Sequence, residues 1–330
     1  MRTFRLQAQL PVTTSITPVN KSMLALALLI VAGAFAPALG IYPTFLMKCW
    51  CFALFACAFN LLLGYAGLLS FGHAAFLGAA AYITGHSIKV WGLPPELGIL
   101  AGTAFAALLG YLFGSLAIRR SGIYFAMITL ALAQMLFFVW LQMKFTGGED
   151  GLQAVPRGKL FGVLDLADNM NLYYVVFAIF VGGFLLIQRA IHSPFGQVLK
   201  AIRENEPRAV SLGYDVDRYK LVAFVLSAAL SGLAGAMKTI VFQLASLTDA
   251  HWHMSGEVVL MTLLGGLGTV HGPVVGAFLI VTLENQLGDK VGSWVQVIMG
   301  VIFVVCVLAL RRGIVGEAMA LFKRPGPTRA

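Results

Sequence analysis

The chain has 330 residues, 59% of them hydrophobic and only 11% charged, with 23 Lys and Arg against 14 Asp and Glu for a formal net charge of +9. A soluble domain carries about 25% charged residues, so this composition excludes an ordinary soluble protein. The basic surplus first invites a nucleic-acid partner, but it is distributed by membrane side instead of being gathered into a patch, and no nucleic-acid binding is expected.

Charge-free runs cover Ser22–Met47, Cys49–Ile88, Leu97–Ile118, Ser121–Met143, Asn169–Gln188, Leu221–Met237, Val258–Leu283 and Val291–Leu310. A bilayer crossing takes about 20 mostly apolar helical residues, because in lipid the backbone must pair within its own segment. One such run could be a buried core helix; eight define an all-α, polytopic transmembrane bundle.

Residues 1–21 form a basic N-terminal tail. The apolar run behind it contains Ala34-Phe35-Ala36, which resembles a signal-peptide cleavage site. The run continues through Pro37 to Ile41, long enough to span, so an uncleaved first helix is expected. Spans are predicted at 22–41, 45–63, 70–88, 97–118, 122–142, 172–189, 221–245, 255–270, 273–287 and 294–310. Ten spans put both tails on one side; eight remain if one Gly-rich pair, 45–88 or 255–287, does not cross fully. The transmembrane region is thus 22–310, with an outer loop at 143–171, an inner loop at 189–220 and a C-terminal tail at 311–330.

The two tails, Arg119–Arg120 and the loop Arg189–Lys220 together hold 16 of the 23 basic residues. The outer loops carry more acids than bases, so the positive-inside rule places both termini in the cytoplasm. Lys48 and Lys238, near outer span ends, are expected to snorkel. Cys49, Cys51, Cys57 and Cys306 sit in apolar spans and read as packing residues. The small-residue rows Ala106/Gly110/Gly114 and Ala228/Gly232/Ala236 let helices approach closely.

Two interrupted stretches stand out. Asn60-Leu-Leu-Leu-Gly64-Tyr-Ala-Gly67-Leu-Leu-Ser70-Phe-Gly72-His73 and Gly265-Gly266-Leu-Gly268-Thr-Val-His271-Gly272-Pro273 each set glycines before a His and a further apolar run, a faint internal similarity. Transporters place solute where helices are broken, so Asn60, Gly64, Gly67, Ser70, His73, Gly265, Gly268 and His271 are candidates for a solute path; plain hairpin turns remain the alternative reading. Glu257 joins them as an intramembrane carboxylate; it and Glu284 lie near span ends, where interfacial exposure is the competing explanation.

The loop 189–220 carries an amphipathic segment in which Leu199, Ile202 and Leu212 form an apolar face and Arg203, Glu204, Asn205 and Glu206 a polar one. Gly213 suits a helix C-cap, and Pro207 is expected to kink the segment or to end one short helix and begin another. Mixed charges favour docking into a partner over lying on lipid.

Enzyme motifs are missing. The nearest approach to a phosphate loop, Gly232-Leu-Ala-Gly235-Ala-Met-Lys238-Thr239, has Met237 at its last glycine position and lies in a span. His251-Trp252-His253 reads as a solvated outer-loop pair, so no metal and no cofactor are expected in this chain.

The stretches quoted, with Thr146-Gly-Gly-Glu-Asp-Gly-Leu152, Ala201-Ile-Arg-Glu-Asn-Glu-Pro-Arg-Ala209, Ser211-Leu-Gly213 and Leu264-Gly-Gly-Leu-Gly-Thr-Val-His-Gly-Pro273, resemble the branched-chain amino acid (LivM-type) permeases of ABC importers over Cys49–Leu310. The resemblance implies a subunit of the bacterial inner membrane, paired with a second, related permease. It also implies two cytoplasmic ATPase subunits that bind ATP and Mg and a periplasmic substrate-binding protein. Arg203-Glu-Asn-Glu206 would be the segment that docks on the ATPases, though Pro207-Arg208 stand where small residues are usual. Related permeases serve urea, short amides and aromatic acids as well as branched-chain amino acids. A membrane enzyme using His73 or His271, and a secondary transporter or channel, are the rival classes.

Overall fold

A computed structural model describes residues 18–309 and 313–322. Of the two charged tails on which the sidedness argument partly rests, residues 1–17, 311–312 and 323–330 lie outside the described residues, while 313–322 form a helix. The chain divides into two compact units, Met1–Ile41 and Tyr42–Ala330. In the first, α1 (Pro18–Phe35) ends in a single 3-10 turn, Ala36–Leu39, closed by Gly40 in the left-handed region.

The second unit is all-α apart from a two-residue hairpin, Lys159–Leu160 against Leu164–Asp165, in the loop after α5. Its helices are α2 (Pro43–Asn60), α3 (His73–Lys89), α4 (Pro95–Ala117), α5 (Ile123–Gln142), α6 (Asn169–His192), α7 (Pro194–Glu204), α8 (Glu206–Ser211), α9 (Val216–Phe242), α10 (Trp252–Gly265), α11 (Gly272–Val291), α12 (Val295–Ala309) and α13 (Gly313–Phe322). Among the described residues five helices are long and apolar enough to cross a bilayer: Pro43–Ala66, α4, α5, α6 and α9. The other predicted spans take shorter or more polar helices, α3 with 17 residues, α10 with 14 and α12 with 15. The chain is therefore a multi-pass membrane protein in which several elements stop short of full span length.

Alpha-2 sits at the centre, ringed by α6, α9, α10 and α11. Its residues from Leu46 to Asn60 are buried with the sole exception of Lys48. A helix apolar all round belongs inside other helices, and this one has no polar stripe to expose. Trp50 anchors it, with its ring against Phe177, Phe180 and Phe278 and its indole N–H donating to the Tyr173 hydroxyl over 3.2 Å. Small residues set the approach of α3, α4 and α9, as their spacing predicts. A Cβ on Gly110 would meet Ala228, one on Gly232 would meet Ala106, and one on Gly235 would come within 2.9 Å of the Leu77 carbonyl carbon.

The loop 143–171 earns its glycines locally. Gly147, Gly148 and Gly151 all have positive φ, and a side chain on Gly151 would strike the Ala245 carbonyl, where Leu152 pairs with Ala245 as an isolated bridge.

Lys48 and Lys238 depart from expectation. Neither reaches outward: Lys238 pairs with the buried Asp249, and Lys48 lies 3.2 Å from Glu284. Each ammonium also faces the Phe52 ring, at 5.3 and 5.9 Å respectively. A carboxylate within reach inside the bundle, together with an aromatic face, outweighs the longer path to the interface.

The packing gives a matched test. Gly235 faces backbone, whereas Gly182 in α6 has nothing within 4 Å of its Cβ position. Overpacking costs about 1–3 kcal/mol, so Gly235→Ala is expected to lower the melting temperature in detergent by several degrees and Gly182→Ala to leave it unchanged or raise it. Equal effects at the two positions would refute this account of the α3–α9 contact.

Candidate functional site

Alpha-2 does not end cleanly. Past Asn60 it widens into a π-helical turn, Leu61–Ala66, closed by Gly67 at φ +74°. Widening and stopping leave the last carbonyls of the helix without intrahelical partners. Alpha-10 likewise stops at Gly265, and the chain passes through Gly266 and Gly268, both at positive φ, before α11 starts at Gly272.

These two breaks meet. The Asn60 carboxamide donates through Nδ2 to the Thr269 carbonyl at 2.8 Å and accepts from the Gly268 N–H at 3.0 Å. A Cβ on Gly64 would hit Asn60 Oδ1 and lie 2.9 Å from Gly268 N. The faint similarity between the stretches thus corresponds to two helix–break–helix units held face to face.

The inner loop closes over this junction as α7 and α8. Pro207 lies in the first turn of α8, where its missing N–H costs nothing, and Asn205 caps that helix by accepting from the Arg208 N–H at 3.1 Å. The segment is therefore two short helices separated at Asn205. Gly213, at φ +85°, follows α8 and donates its N–H to the Val210 carbonyl at 2.9 Å.

The predicted docking face needs correction. Leu199 and Ile202 are 0% and 2% exposed, and Ile202 packs with Ala209 and Val216 of the chain itself. Their apolar surface seats α7 on the bundle. Leu212, at 68% exposure, does face outward, joined by Val210 and Tyr214. Glu206 pairs with the buried Lys220 ammonium at 2.5 Å while keeping 42% of its side chain exposed, and Glu204 is exposed. Arg203 is exposed as predicted, yet its guanidinium points to the junction, donating through Nη1 to the Gly64 carbonyl.

Among the predicted path residues, Gly64 and Gly268 border a hollow of about 390 Å³ that is otherwise lined by Tyr65, Lys200, Arg203 and Glu204. Gly67 lies under the Arg203 side chain. Gly265 is fixed by backbone packing, since a Cβ there would sit 2.5 Å from the Gly272 carbonyl carbon. Ser70 and His73 are fully buried. Ser70 Oγ accepts the Gly72 N–H at 3.1 Å. His73 donates from Nε2 to Ser227 Oγ at 2.8 Å, which in turn donates to the Ala58 carbonyl at 2.6 Å, and the ring is boxed by Phe59, Phe76 and Phe224. His73 thus ties α2, α3 and α9 together from a fully buried position. The His271 ring rests on Phe184, 5.4 Å between centroids.

Glu257 lies elsewhere, at the opposite end of α10 from the break. It lines a cavity of about 350 Å³ with Glu284, His253, Trp252, Phe71 and Met299. His253 Nδ1 is 3.4 Å from Glu257, and Glu284 is the partner of Lys48. The Lys238–Asp249 pair packs against the same Phe52 ring as Lys48, extending the charged cluster behind the cavity. Sequence reasoning noted Glu284 and both lysines singly; only the fold makes them neighbours. No trio of His, Cys, Asp or Glu among the described residues is placed to hold a metal ion.

Residues 41–307 match the family model of the branched-chain amino acid transport system / permease component. The chain belongs to that family. It is 28% identical over 258 residues to the High-affinity branched-chain amino acid transport system permease protein LivM of Escherichia coli (strain K12), which covers 70% of this chain and 60% of that protein. It is 30% identical over 196 residues to the Ribose import permease protein RbsC of Bacillus subtilis (strain 168), covering 55% of this chain and 58% of the relative. To the Probable branched-chain amino acid transport permease protein LivH of Methanocaldococcus jannaschii it is 26% identical over 164 residues, covering 46% of this chain and 49% of the relative. The match spans about three-fifths of the length of the LivM proteins of Escherichia coli and Salmonella typhimurium. No solved structure matches it.

The inward and outward residues of the loop separate by substitution. Placing a carboxylate at the buried Ile202 loses its packing and adds a desolvation cost, together about 3 kcal/mol or more. Ile202→Asp is expected to lower the yield and melting temperature of the chain purified alone, and Leu212→Asp to change neither; if Ile202→Asp melts like the parent, the seating of α7 is wrong.

Proposed function

We propose that this chain is one permease subunit of an ATP-driven importer, supplying half of a translocation path for branched-chain or related amino acids by alternating access. The observation that carries this reading is the apolar face of Val210, Leu212 and Tyr214, exposed on a loop of a chain whose sequence holds no phosphate-binding motif. Uphill import needs a mechanical link to a subunit that binds nucleotide, and family membership supports a pair of cytoplasmic ATPases as the occupant of that face. The relatives named LivM and LivH support a second, related permease as the membrane partner. A periplasmic binding protein would deliver solute to the opposite end.

The cavity beside Glu257 is where a small solute would pass. Its walls are largely apolar, which suits a branched aliphatic side chain, and the carboxylates of Glu257 and Glu284 suit an ammonium group. Urea, short amides and aromatic acids remain the alternative cargo, and the ribose permease among the relatives adds a sugar to the solutes worth assaying.

The test is uptake by the complex reconstituted with its ATPases and binding protein, using labelled leucine, urea, benzoate and ribose. Leucine uptake that requires ATP is expected, and uptake of ribose alone would replace the amino acid reading. Gly256 lines the cavity and has nothing within 4 Å of its Cβ position. Gly256→Phe should therefore block uptake while leaving assembly intact; unchanged uptake would move the path elsewhere.

Sidedness follows from charge. The loop 189–220 and both termini are proposed to be cytoplasmic and the loop 143–171 periplasmic. A cysteine placed in the C-terminal tail should stay unlabelled by an impermeant maleimide in intact cells, and labelling there would reverse the orientation.

A further inference from the structure

From the inner loop, Lys200 lies over the Tyr65 ring of the first break, and Arg203 reaches both breaks. Arg203, on the last turn of α7, donates to the Gly64 carbonyl, one of the groups that the π-helical end of α2 leaves without a helical partner. Its stem covers Gly67, where a Cβ would lie 2.9 Å from Arg203 Cγ. Across the junction, a Cβ on Gly268 would lie 3.4 Å from Arg203 Nη1. Gly67 and Gly268 both have φ +74°, so each break bends at the residue that meets the arginine.

Three further features bear on what this contact can transmit. A guanidinium at the carbonyl end of a helix is held by the helix dipole as well as by its hydrogen bond. Asn60 binds the Gly268 N–H and the Thr269 carbonyl, so a pull on the first break reaches the second. Alpha-7 is seated by Leu199 and Ile202 on one face, while the apolar face that follows it, Val210 and Leu212, is open. The hollow of about 390 Å³ beside Arg203 leaves room for the side chain to shift.

We propose that Arg203 is the positioning residue through which movement of α7 and α8 is transmitted to both helix breaks at once. This deepens the importer reading and rests on it for its physiological meaning, but the link itself belongs to this chain alone. Docking at Val210 and Leu212 would displace α7, Arg203 would carry the Gly64 carbonyl with it, and the Asn60 carboxamide would move Gly268 in step.

Two measurements test it. In the purified chain without partners, Arg203→Ala is expected to speed amide hydrogen exchange by tenfold or more at both 61–68 and 266–270, leaving α4 and α9 unchanged, with Arg203→Lys intermediate and Arg208→Ala silent. In the complex, Arg203→Ala should retain the ATPases and their basal hydrolysis but lose at least tenfold in solute-stimulated hydrolysis. Unchanged exchange at either break, or a general loss of protection through the bundle, overturns the link and leaves the importer reading standing. A wild-type complex that shows no solute-stimulated hydrolysis refutes the importer reading, while the exchange result still decides the link. Normal stimulation in Arg203→Ala beside a working wild type overturns transmission through Arg203.

Discussion

The Asn60 carboxamide is the point on which the inner half of this bundle depends. A helix that ends within a membrane protein exposes carbonyls, and one that begins there exposes N–H groups; neither can be left bare where water is scarce. Asn60 offers one acceptor and two donors, and it spends them on the Gly268 N–H and the Thr269 carbonyl. An unsatisfied buried polar group costs about 1–3 kcal/mol, so loss of this one side chain would expose both partners together. The glycines follow from that contact. Gly64 has no room for a Cβ because Asn60 and Gly268 already fill the space, and Gly268 must take a left-handed turn to present its N–H.

The opposite end of the same helices is organised by charge. Lys48, Lys238, Asp249, Glu257 and Glu284 come from α2, α9, the turn after α9, α10 and α11. Two ion pairs account for four of them, leaving Glu257 with His253 as its partner. Buried pairs of this kind contribute little net stability, because desolvation offsets most of the attraction. Five charges gathered within the bundle of a chain that is only 11% charged, two of them on the cavity wall, are thus poorly explained as stabilisers. Two carboxylates set in an otherwise apolar wall accord with the solute path proposed above.

Much of the architecture was legible from the residues, for reasons that can be named. Apolar runs report burial in lipid or protein, so helices appear wherever lysine and glutamate are missing. The small-residue rows on α4 and α9 do mark close helix contacts, and Pro207 does divide the inner loop. The site was less legible. His73 drew attention as an intramembrane histidine, yet its nitrogen closes a hydrogen-bond chain through Ser227 to Ala58, far away in sequence. Leu199 and Ile202 have the periodicity of a docking face, but periodicity states only that one side is apolar and not whose surface covers it. Lys48 and Lys238 looked like snorkelling residues because their carboxylate partners, Glu284 and Asp249, are supplied by the fold.

Alpha-10 joins the two ends. It has 14 residues, about 21 Å at 1.5 Å per residue. Gly256 and Glu257 near its start line the cavity, and Gly265 at its end forms the break. A helix this short is stiff, so displacement at one end is carried to the other instead of being absorbed along its length. Alpha-11 runs alongside it from Gly272, past Ile280, to Glu284 on the cavity wall. Gly265 and Gly276 allow backbone contact between the pair, which lets them slide or tilt as one body without repacking large side chains. The breaks therefore lie between the contact with Arg203 on one side and, on the other, a helix pair that carries the carboxylates of the cavity. Asn60 and Lys48 belong to one helix, and Gly268 lies between the two helices that carry Glu257 and Glu284, so the junction and the carboxylates are built on the same three helices.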